Sequence, residues 1–528
     1  MRHTKTFIAY LSATAILCGA LVMVIEVLGS RVIGPFFGVS LFVWTSLITV
    51  TMVALAGGYA IGGHLSDRRE SPDWLYGIII LSGVLVILIP LLKAPILQIS
   101  LQFGLRWGAL SSAFLLFGPA LFLLGCVSPY VVKIAAREMH NIGRTVGFFY
   151  AISTIGSVAG TTLTGFVLIA YLGVNKIFIL TGCLLIGIGV VYFIFFRRKW
   201  VVAGAMILPF LFMPPESNPE KTMPDGTHVK RIAGRDSFYG DLKVIEYSFG
   251  EMRTREMVID GFVQGGVDMS NGLSVYEYPY LLQFIPYALN PGGKSCLVIG
   301  LGAGVVPAWY QAQGISTEVV DIDPAVVDLA HNYFNFSRDI PVHIEDARYF
   351  MSSAKKQYDF LILDVFNGDT TPGHLLSIEA VTIAKQRMAP NGVFAVNLVG
   401  DVRLNTLMTA SVVKTLQKVF DQVVVYPTFD PSTGNGQGNL EIFAYDGQQR
   451  VLQMDGIRQT GRIGNAMIHP MARTVVEMSM QMTPFAFPPQ VDAIVLSDNY
   501  NPMDFFDLPI KEEVRRTIMN TTDWSILL

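Results

Sequence analysis

The chain has 528 residues, of which 52% are hydrophobic and only 15% are charged. Soluble domains have about 25% charged residues, so this composition argues against a purely soluble protein, and the length allows more than one domain. The formal net charge of −3 is too small to indicate a nucleic-acid partner, and the four cysteines have no spacing typical of a metal site or a disulfide framework.

The apolar excess lies in residues 1–215, which contain six segments long enough to cross about 30 Å of hydrocarbon. The first segment is too long for a cleaved signal peptide, and several more follow it. We therefore predict a polytopic α-helical membrane domain over residues 1–215. The six segments are residues 7–28, 41–61, 74–92, 110–127, 145–171 and 177–196.

Lysine and arginine are concentrated before the first segment and after the second, fourth and sixth. The positive-inside rule therefore predicts a cytoplasmic N-terminus. A seventh apolar run, residues 201–213, is too short to span and contains Pro209. We expect this run to lie at the interface or to insert partly, which leaves the rest of the chain in the cytoplasm. If it spans, everything after it lies outside.

Prolines predict a linker over residues 216–228. Short alternating runs broken by glycine then predict a small antiparallel β region over residues 229–290. Strand and helix patterns alternate from there to the C-terminus. This alternation predicts a doubly wound, Rossmann-like sheet of the methyltransferase type in a domain over residues 291–528.

Residues 296–323 combine a strand, a glycine-rich turn, a helix and a second strand that ends in acids, which is typical of a nucleotide-binding βαβ unit. Gly300, Gly302 and Gly304 would let the backbone approach a ligand closely. Asp321 follows Gly300 at about the spacing, roughly 20 residues, at which an acid meets ribose hydroxyls. The pattern is not GxGxxG, which disfavours a dinucleotide and favours a nucleoside such as S-adenosylmethionine. A tight turn without a ligand is the alternative.

Asp321, Asp346 and Asp364 each lie at the end of a predicted strand. Ligands bind doubly wound sheets at the carboxyl ends of the strands, so we group these acids with Gly300 in one site. Asp321 would accept hydrogen bonds from ribose, and Asp346 from the adenine amino group. Asp364 would hold an ammonium group or accept a proton from an attacking amine. Alternatively, each acid is a solvated loop residue or a helix cap.

The sequence resembles the spermidine synthase family, in its membrane-fused bacterial branch, most clearly over residues 237–439. The resemblance implies an enzyme that transfers an aminopropyl group from decarboxylated S-adenosylmethionine to an amine. The motifs that carry it are Ser237-Phe238-Tyr239-Gly240, Ile259-Asp260-Gly261-Phe262-Val263-Gln264, Asp321-Ile322-Asp323, Asp346-Ala347, Pro427-Thr428-Phe429 with Gly434, and Ser497-Asp498-Asn499-Tyr500-Asn501-Pro502.

The resemblance also implies residue roles. Asp364 and Tyr239 would be catalytic, and Tyr278 would bind the substrate. The expected partners are an amine or another small-molecule acceptor, the lipid bilayer and a second copy of the chain, with no nucleic acid and no metal ion. The nucleoside co-substrate would be bound by Gln264, Gly300, Gly302, Gly304, Asp321, Asp346 and Ala347.

The chain departs from the family where a cationic amine would bind. Ala303, Tyr280 and Asn367 stand where the family has acids. Two unit charges 4 Å apart interact by about 4 kcal/mol at an effective dielectric of 20, so these losses predict weaker polyamine binding. Two alternatives follow. One is a methyl- or aminocarboxypropyltransferase that uses intact S-adenosylmethionine on a substrate delivered by the membrane. The other is a transporter or sensor with a non-catalytic nucleoside-binding domain.

Overall fold

The structure is a computed structural model. By contacts, the chain divides into two compact units, one of residues 1–217 with 236–240 and one of residues 218–235 with 241–528. The structure describes residues 2–38, 41–138, 142–207, 219–366, 371–432, 436–450, 452, 468–488, 490–521 and 526.

The first unit is helical. Six helices in its described residues are long and apolar enough to cross a membrane, which confirms the predicted helical architecture by length and composition. The helices are α1 (Arg2–Phe37), α2 (Leu41–Arg68), α3 (Pro72–Leu101), α4 (Gly104–Glu138), α5 (Ile142–Leu163), continued by a π turn (Thr164–Leu168) and α6 (Ile169–Tyr171), and α7 (Val174–Phe195), followed by a 3-10 helix (Trp200–Ile207).

Glycines allow these helices to pack with their backbones in contact. A methyl group added at Gly58 of α2 would lie 2.3 Å from the Phe122 carbonyl oxygen of α4. One added at Gly156 of α5 would lie 2.1 Å from the Ile16 carbonyl oxygen of α1. Glycine at these positions therefore allows close helix packing, as small residues commonly do in membranes.

The second unit begins with a six-stranded antiparallel sheet in the order β1-β2-β3-β4-β5-β6. Asp260 and Gly261 join β4 to β5 with φ of 49° and 76°, as a two-residue hairpin turn requires. This turn fixes the register of the start of β5, and a bulge at Gln264 then shifts the register between Val258 and Met257 of β4. The strands are β1 (Glu220–Thr222), β2 (His228–Asp236), β3 (Asp241–Phe249), β4 (Met252–Ile259), β5 (Phe262–Asp268) and β6 (Leu273–Ser274).

The following sheet has seven strands in the order β12-β13-β11-β10-β7-β8-β9. β7 to β11 are parallel, which confirms the predicted doubly wound sheet. β12 and β13 form an antiparallel extension, which the sequence analysis did not identify. The strands are β7 (Ser295–Ile299), β8 (Ser316–Asp321), β9 (Val342–Ile344), β10 (Tyr358–Leu363), β11 (Met388–Asp401), β12 (Gln422–Pro427) and β13 (Gln437–Tyr445).

Helices cover both faces of this sheet, because alternate residues of its central strands are apolar on each side. One face packs against α8 (Tyr278–Leu289), α9 (Val305–Ala312), α10 (Pro324–Tyr333) and α14 (Pro470–Gln481). The other face packs against α11 (Ala347–Ser353), α12 (Ile378–Gln386) and α13 (Thr406–Gln417). Two C-terminal helices follow, α15 (Met503–Phe506) and α16 (Leu508–Thr521).

Candidate functional site

The glycine turn connects β7 to α9 at the carboxyl edge of the parallel strands. Gly300, Gly302 and Gly304 have φ of 91°, 51° and 79°, a region that side chains with a Cβ rarely adopt. A Cβ at Gly300 would lie 2.0 Å from the Asp364 carbonyl oxygen, and one at Gly302 would lie 2.7 Å from the Gln264 carbonyl oxygen. The turn therefore requires glycine, and it lies directly against the predicted residues of β5 and of the end of β10.

Asp321 ends β8, and its carboxylate is bonded to the glycine turn. Oδ2 accepts a hydrogen bond from Leu301 N at 2.9 Å, and Oδ1 accepts one from Asp323 N at 2.8 Å. Burial raises the pKa of this carboxyl to about 6, against the effect of the two N–H donors. Each carboxylate oxygen has more than one lone pair, so both can also accept from the hydroxyls of a ribose.

Asp346 and Ala347 follow β9, further along the same edge of the sheet. Asp346 is the N-cap of α11, and its Oδ1 accepts a hydrogen bond from Tyr349 N at 2.9 Å. Its Oδ2 lies 3.4 Å from Nε2 of His374. Ala347 is buried at the first position of the helix. Asp346 thus has the cap role given as the alternative, and its contact with adenine stays a prediction.

Asp364 follows β10, and two asparagine side chains, hydrogen-bonded in series, hold its carboxylate. Asn397 Nδ2 donates a hydrogen bond of 2.8 Å to Asp364 Oδ1, and Asn439 Nδ2 donates one of 2.8 Å to Asn397 Oδ1. Burial raises the pKa of Asp364 to about 6, although the bond from Asn397 lowers it. A fixed carboxylate that titrates near neutrality can accept a proton under physiological conditions.

Tyr278, Gln264 and Ala303 lie together beside this carboxylate. The Tyr278 hydroxyl donates to the Gln264 carbonyl oxygen at 3.4 Å. A Cβ at Gly265 would lie 3.2 Å from Ala303 Cβ and 3.7 Å from the Tyr278 hydroxyl. Burial, followed by the charge of Asp364, raises the pKa of the Tyr278 phenol well above its ordinary value. Tyr278 therefore remains a neutral hydroxyl that can donate and accept hydrogen bonds.

Tyr239 is a different case among the predicted residues. It belongs to the segment Asp236–Gly240, which groups with the helical unit, and its backbone N donates to Ser237 Oγ at 3.0 Å. Its catalytic role stays a prediction. Asn367 and Gly434, which the motif comparison named, lie outside the described residues.

Glu441 was not identified from the sequence. This side chain is fully buried in the middle of β13, and neither carboxylate oxygen has a hydrogen-bond partner among the residues that the structure describes. Burial, and then the charges of Asp364 and Glu277, raise its pKa well above the ordinary value for glutamate. One signal was available in the sequence: a single acid interrupts the apolar run of residues 440–445.

Comparison with known proteins finds a family similar to the part of the chain that contains most of this site. Residues 277–457 match the family described as spermine/spermidine synthase domain. A polyamine aminopropyltransferase of Vibrio vulnificus is 36% identical over 130 residues, which are 23% of this chain and 43% of that protein. An N-terminal histidine N-methyltransferase of Emericella nidulans is 34% identical over 157 residues, 29% of this chain and 28% of that protein. The chain thus spans less than half the length of these two relatives.

Solved structures are also similar to part of the chain. A spermidine synthase in complex with the transition state analogue AdoDATO is 17% identical, with a TM-score of 0.39 over 51% of this chain and 95% of that one. Human methyltransferase-like protein 13 in complex with SAH is 22% identical, with a TM-score of 0.28 over 40% of this chain and 93% of that one. The family match over residues 277–457 therefore includes Tyr278, the glycine turn and all three strand-end acids, and this part of the chain is similar to the spermine/spermidine synthase domain.

Proposed function

We propose that the chain is a membrane-anchored transferase that moves an aminopropyl group from decarboxylated S-adenosylmethionine to an amine. The main support for this proposal is the environment of Asp364. Its carboxylate is fixed by Asn397, its pKa is raised to about 6, and its backbone lies against the glycine turn. The matched family and the aminopropyltransferase relatives support the same reaction class.

The proposed reaction is a nucleophilic substitution at carbon. The neutral amine attacks the aminopropyl carbon bonded to the sulfonium sulfur. The new C–N bond forms as the C–S bond breaks, the bonding electrons return to sulfur, and methylthioadenosine leaves. The alkylated nitrogen becomes a positively charged ammonium, and Asp364 accepts one of its protons. Asp321 and the glycine turn would hold the nucleoside, and Tyr278 would position the amine by hydrogen bonding.

A second candidate uses intact S-adenosylmethionine, whose carboxylate the decarboxylated donor lacks. Ala303 supports this candidate, because it is uncharged and places no anion beside the Gln264–Gly265 backbone and Tyr278. The Emericella nidulans relative is described as a methyltransferase, which is consistent with the same donor. The two candidates share the nucleoside site and differ in the group transferred.

Product analysis of the full-length protein in lipid nanodiscs distinguishes the candidates. We expect methylthioadenosine from decarboxylated S-adenosylmethionine with putrescine, and release slowed by about 10²-fold or more in Asp364→Asn. The control is Asp339→Asn, which changes an exposed acid in the same way. Adenosylhomocysteine from the intact donor would replace the first proposal by a methyltransferase. Binding of both nucleosides without any product would favour a sensor or transporter.

We also propose that the helical unit lies in a bacterial inner membrane with the N-terminus and the C-terminal unit in the cytoplasm. The distribution of lysine and arginine supports the cytoplasmic N-terminus. Residues 200–207 decide the side of the C-terminal unit. They form a short 3-10 helix whose Val202 and Ala203 pack against α3 and α7, which supports partial insertion.

Reporter fusions test this topology. A fluorescent protein that matures only in the cytoplasm, fused after residue 199 or after residue 221, should fluoresce at both positions. Alkaline phosphatase, which is active only outside the cytoplasm, should be inactive at both. Phosphatase activity after residue 221 alone would mean that the intervening segment spans, and cytosolic nucleoside could then not reach the site. A homodimer is part of the same proposal and is tested by the mass of the particle in nanodiscs.

A further inference from the structure

Glu441 is the buried acid that the proposed reaction does not use. Its side chain is 0% exposed, and Oε1 and Oε2 have no hydrogen-bond partner within the described part of the chain. Burying an unpaired carboxylate is costly, and even a neutral carboxyl loses its hydrogen bonds to water. Such a group in the middle of a well-packed strand needs a ligand or a function to explain it.

The pairing of strands places Glu441 on the face of the sheet that carries Asp364. Glu441 is directly opposite Asn397 in the antiparallel pair of β11 and β13, so the two side chains point to the same face with Cβ atoms about 5 Å apart. Asn397 in turn donates to Asp364. The apolar neighbours on these strands, Ala395 and Phe443, pack in the cluster formed with α8. Glu441 therefore lies on the same face as the proposed base, with only the strand β11 between β13 and β10.

A third carboxyl belongs to the same group. Glu277 is the N-cap residue of α8, next to Tyr278, and the charges of Glu277, Asp364 and Glu441 all act on the Tyr278 phenol. Three acids thus act electrostatically on one hydroxyl, and no lysine, arginine or histidine among the described residues forms an ion pair with any of them. The group carries an unbalanced negative charge whenever its members ionise.

The chemistry of the ligand follows from charge and spacing. A divalent metal ion would need three or more acidic, histidine or cysteine side chains converging on one point, and none of the described residues form such a group. A primary alkylammonium group has three N–H donors on a single positive charge, and it can bond to acceptors spread over a wider cavity. Guanidinium, which is planar, would need paired oxygens in one plane.

We propose that Glu441, together with Glu277, holds an alkylammonium group of the amine substrates beside Asp364. This inference rests on the proposed aminopropyl transfer and assigns its cationic specificity to residues other than those at Ala303, Tyr280 and Asn367. Glu441 compensates for the acids that the family has at those positions. The tasks are then divided: Glu441 binds a charged nitrogen, and Asp364 accepts the proton of the reacting one.

Two sources could supply the ammonium group, the amine acceptor and the aminopropyl group of the donor. The experiment separates them by calorimetric titration of the full-length protein in nanodiscs with putrescine, with decarboxylated S-adenosylmethionine and with methylthioadenosine, which has no ammonium group. The variant is Glu441→Gln, which keeps the size of the side chain and removes its charge. Glu477→Gln, on the exposed face of α14, is the control.

We expect Glu441→Gln to weaken the binding of at least one ammonium-bearing ligand by about 30-fold or more, since removing one member of a buried charge pair has effects of this size. Methylthioadenosine should bind equally to both proteins. Weaker putrescine binding assigns the group to the acceptor, and weaker binding of the decarboxylated donor assigns it to the aminopropyl group. Binding of the ammonium should also release protons, seen as a measured enthalpy that varies with the ionisation enthalpy of the buffer.

The outcomes separate this inference from the proposed reaction. If the wild-type protein makes methylthioadenosine and Glu441→Gln leaves the affinity for every ammonium ligand unchanged, the inference is wrong and the reaction stands. If the wild-type protein binds putrescine through Glu441 but makes no methylthioadenosine, the cation site stands and the reaction is wrong. If the wild-type protein binds methylthioadenosine, but the ammonium group of putrescine or of the decarboxylated donor adds no affinity, the inference also fails. Glu441 is then only a buried neutral carboxyl.

Discussion

The nucleoside side and the amine side of the site are built in different ways. On the nucleoside side, the glycine turn and Asp321 come from one βαβ unit, and backbone N–H groups satisfy the carboxylate. On the amine side, Asp364, Asn397 and Glu441 come from three strands, and Glu441 is left without a partner. The first arrangement is complete within the protein, whereas the second is completed by a positive charge on the substrate.

This difference predicts which substitutions affect which step. Changes on the nucleoside side should weaken the binding of every adenosine ligand. Changes on the amine side should leave methylthioadenosine binding intact and affect the ammonium ligands or the chemical step.

Asp364→Asn should lower kcat by about 10²- to 10⁴-fold, the usual contribution of a general base. The amide keeps the shape of the side chain but cannot take the proton of the attacking amine. Steady-state release of methylthioadenosine measures kcat, and titration with methylthioadenosine should give an unchanged affinity. A kcat within threefold of the wild-type value would exclude Asp364 as the proton acceptor.

Gly300→Ala should disturb both sides at once, because the added methyl group would lie 2.0 Å from the Asp364 carbonyl oxygen at a φ of 91°. We expect the free energy of unfolding to fall by roughly 2–4 kcal/mol, because of backbone strain and displacement of the strand end. Gly314→Ala is the matched control, since it has a φ of 77° and no atom within 4 Å of the added group. Thermal unfolding and methylthioadenosine binding should therefore change much more in the first variant than in the second.

Asp321→Asn should weaken methylthioadenosine binding by about 10- to 100-fold, the value of a hydrogen bond to a charged group. Asparagine is preferable to alanine here, because the side chain also accepts from Leu301 N and Asp323 N and its removal would disturb the glycine turn. Asp323→Asn, the control, keeps the N-cap of α10 and should bind methylthioadenosine with the affinity of the wild type. Equal affinity in wild type and Asp321→Asn would contradict the ribose contact.

The same contrast explains what could be predicted from the sequence. The glycine turn, the strand before it and the acid after it lie within residues 296–323, so local pattern alone placed them together. The parallel sheet followed from the alternation of strands and helices, and the carboxyl ends of its strands gave Asp364. The membrane helices followed from hydrophobic length. All of these features depend on short-range order in the chain.

Glu441 could not be placed in this way, because it is 77 residues after Asp364 and reaches it only through Asn397 and the register of β11 with β13. The hairpin of β12 and β13 was also missed, since the apolar run of an antiparallel edge pair resembles that of buried parallel strands. Without that hairpin the acids lost at Ala303 and Tyr280 had no visible replacement. The sequence therefore predicted weak amine binding where the structure offers a new anionic group.

The smallest predicted effect concerns stability and pH. The raised pKa of Asp364, about 6 against an ordinary value of 3.8, means that the folded protein binds this proton more tightly than the unfolded chain does. Its contribution to stability is present below about pH 4 and is lost as the pH rises through 6. Asp364→Asn cannot ionise, so it should match the wild type in unfolding temperature at pH 4 and exceed it above pH 6.

Above pH 6, Asp364→Asn should be more stable than the wild type by on the order of 1–3 kcal/mol, because one pKa unit corresponds to about 1.4 kcal/mol. The difference between the two proteins in thermal unfolding, measured from pH 4 to pH 8, cancels the titrating groups that do not interact with Asp364, including Asp321, and leaves Asp364 with its coupling to Glu441. Saturating putrescine should reduce the gain, since a bound ammonium offsets the cost of the ionised carboxylate. A difference that does not change with pH would show that Asp364 titrates normally, and the contrast between the two sides of the site would then lose its electrostatic basis.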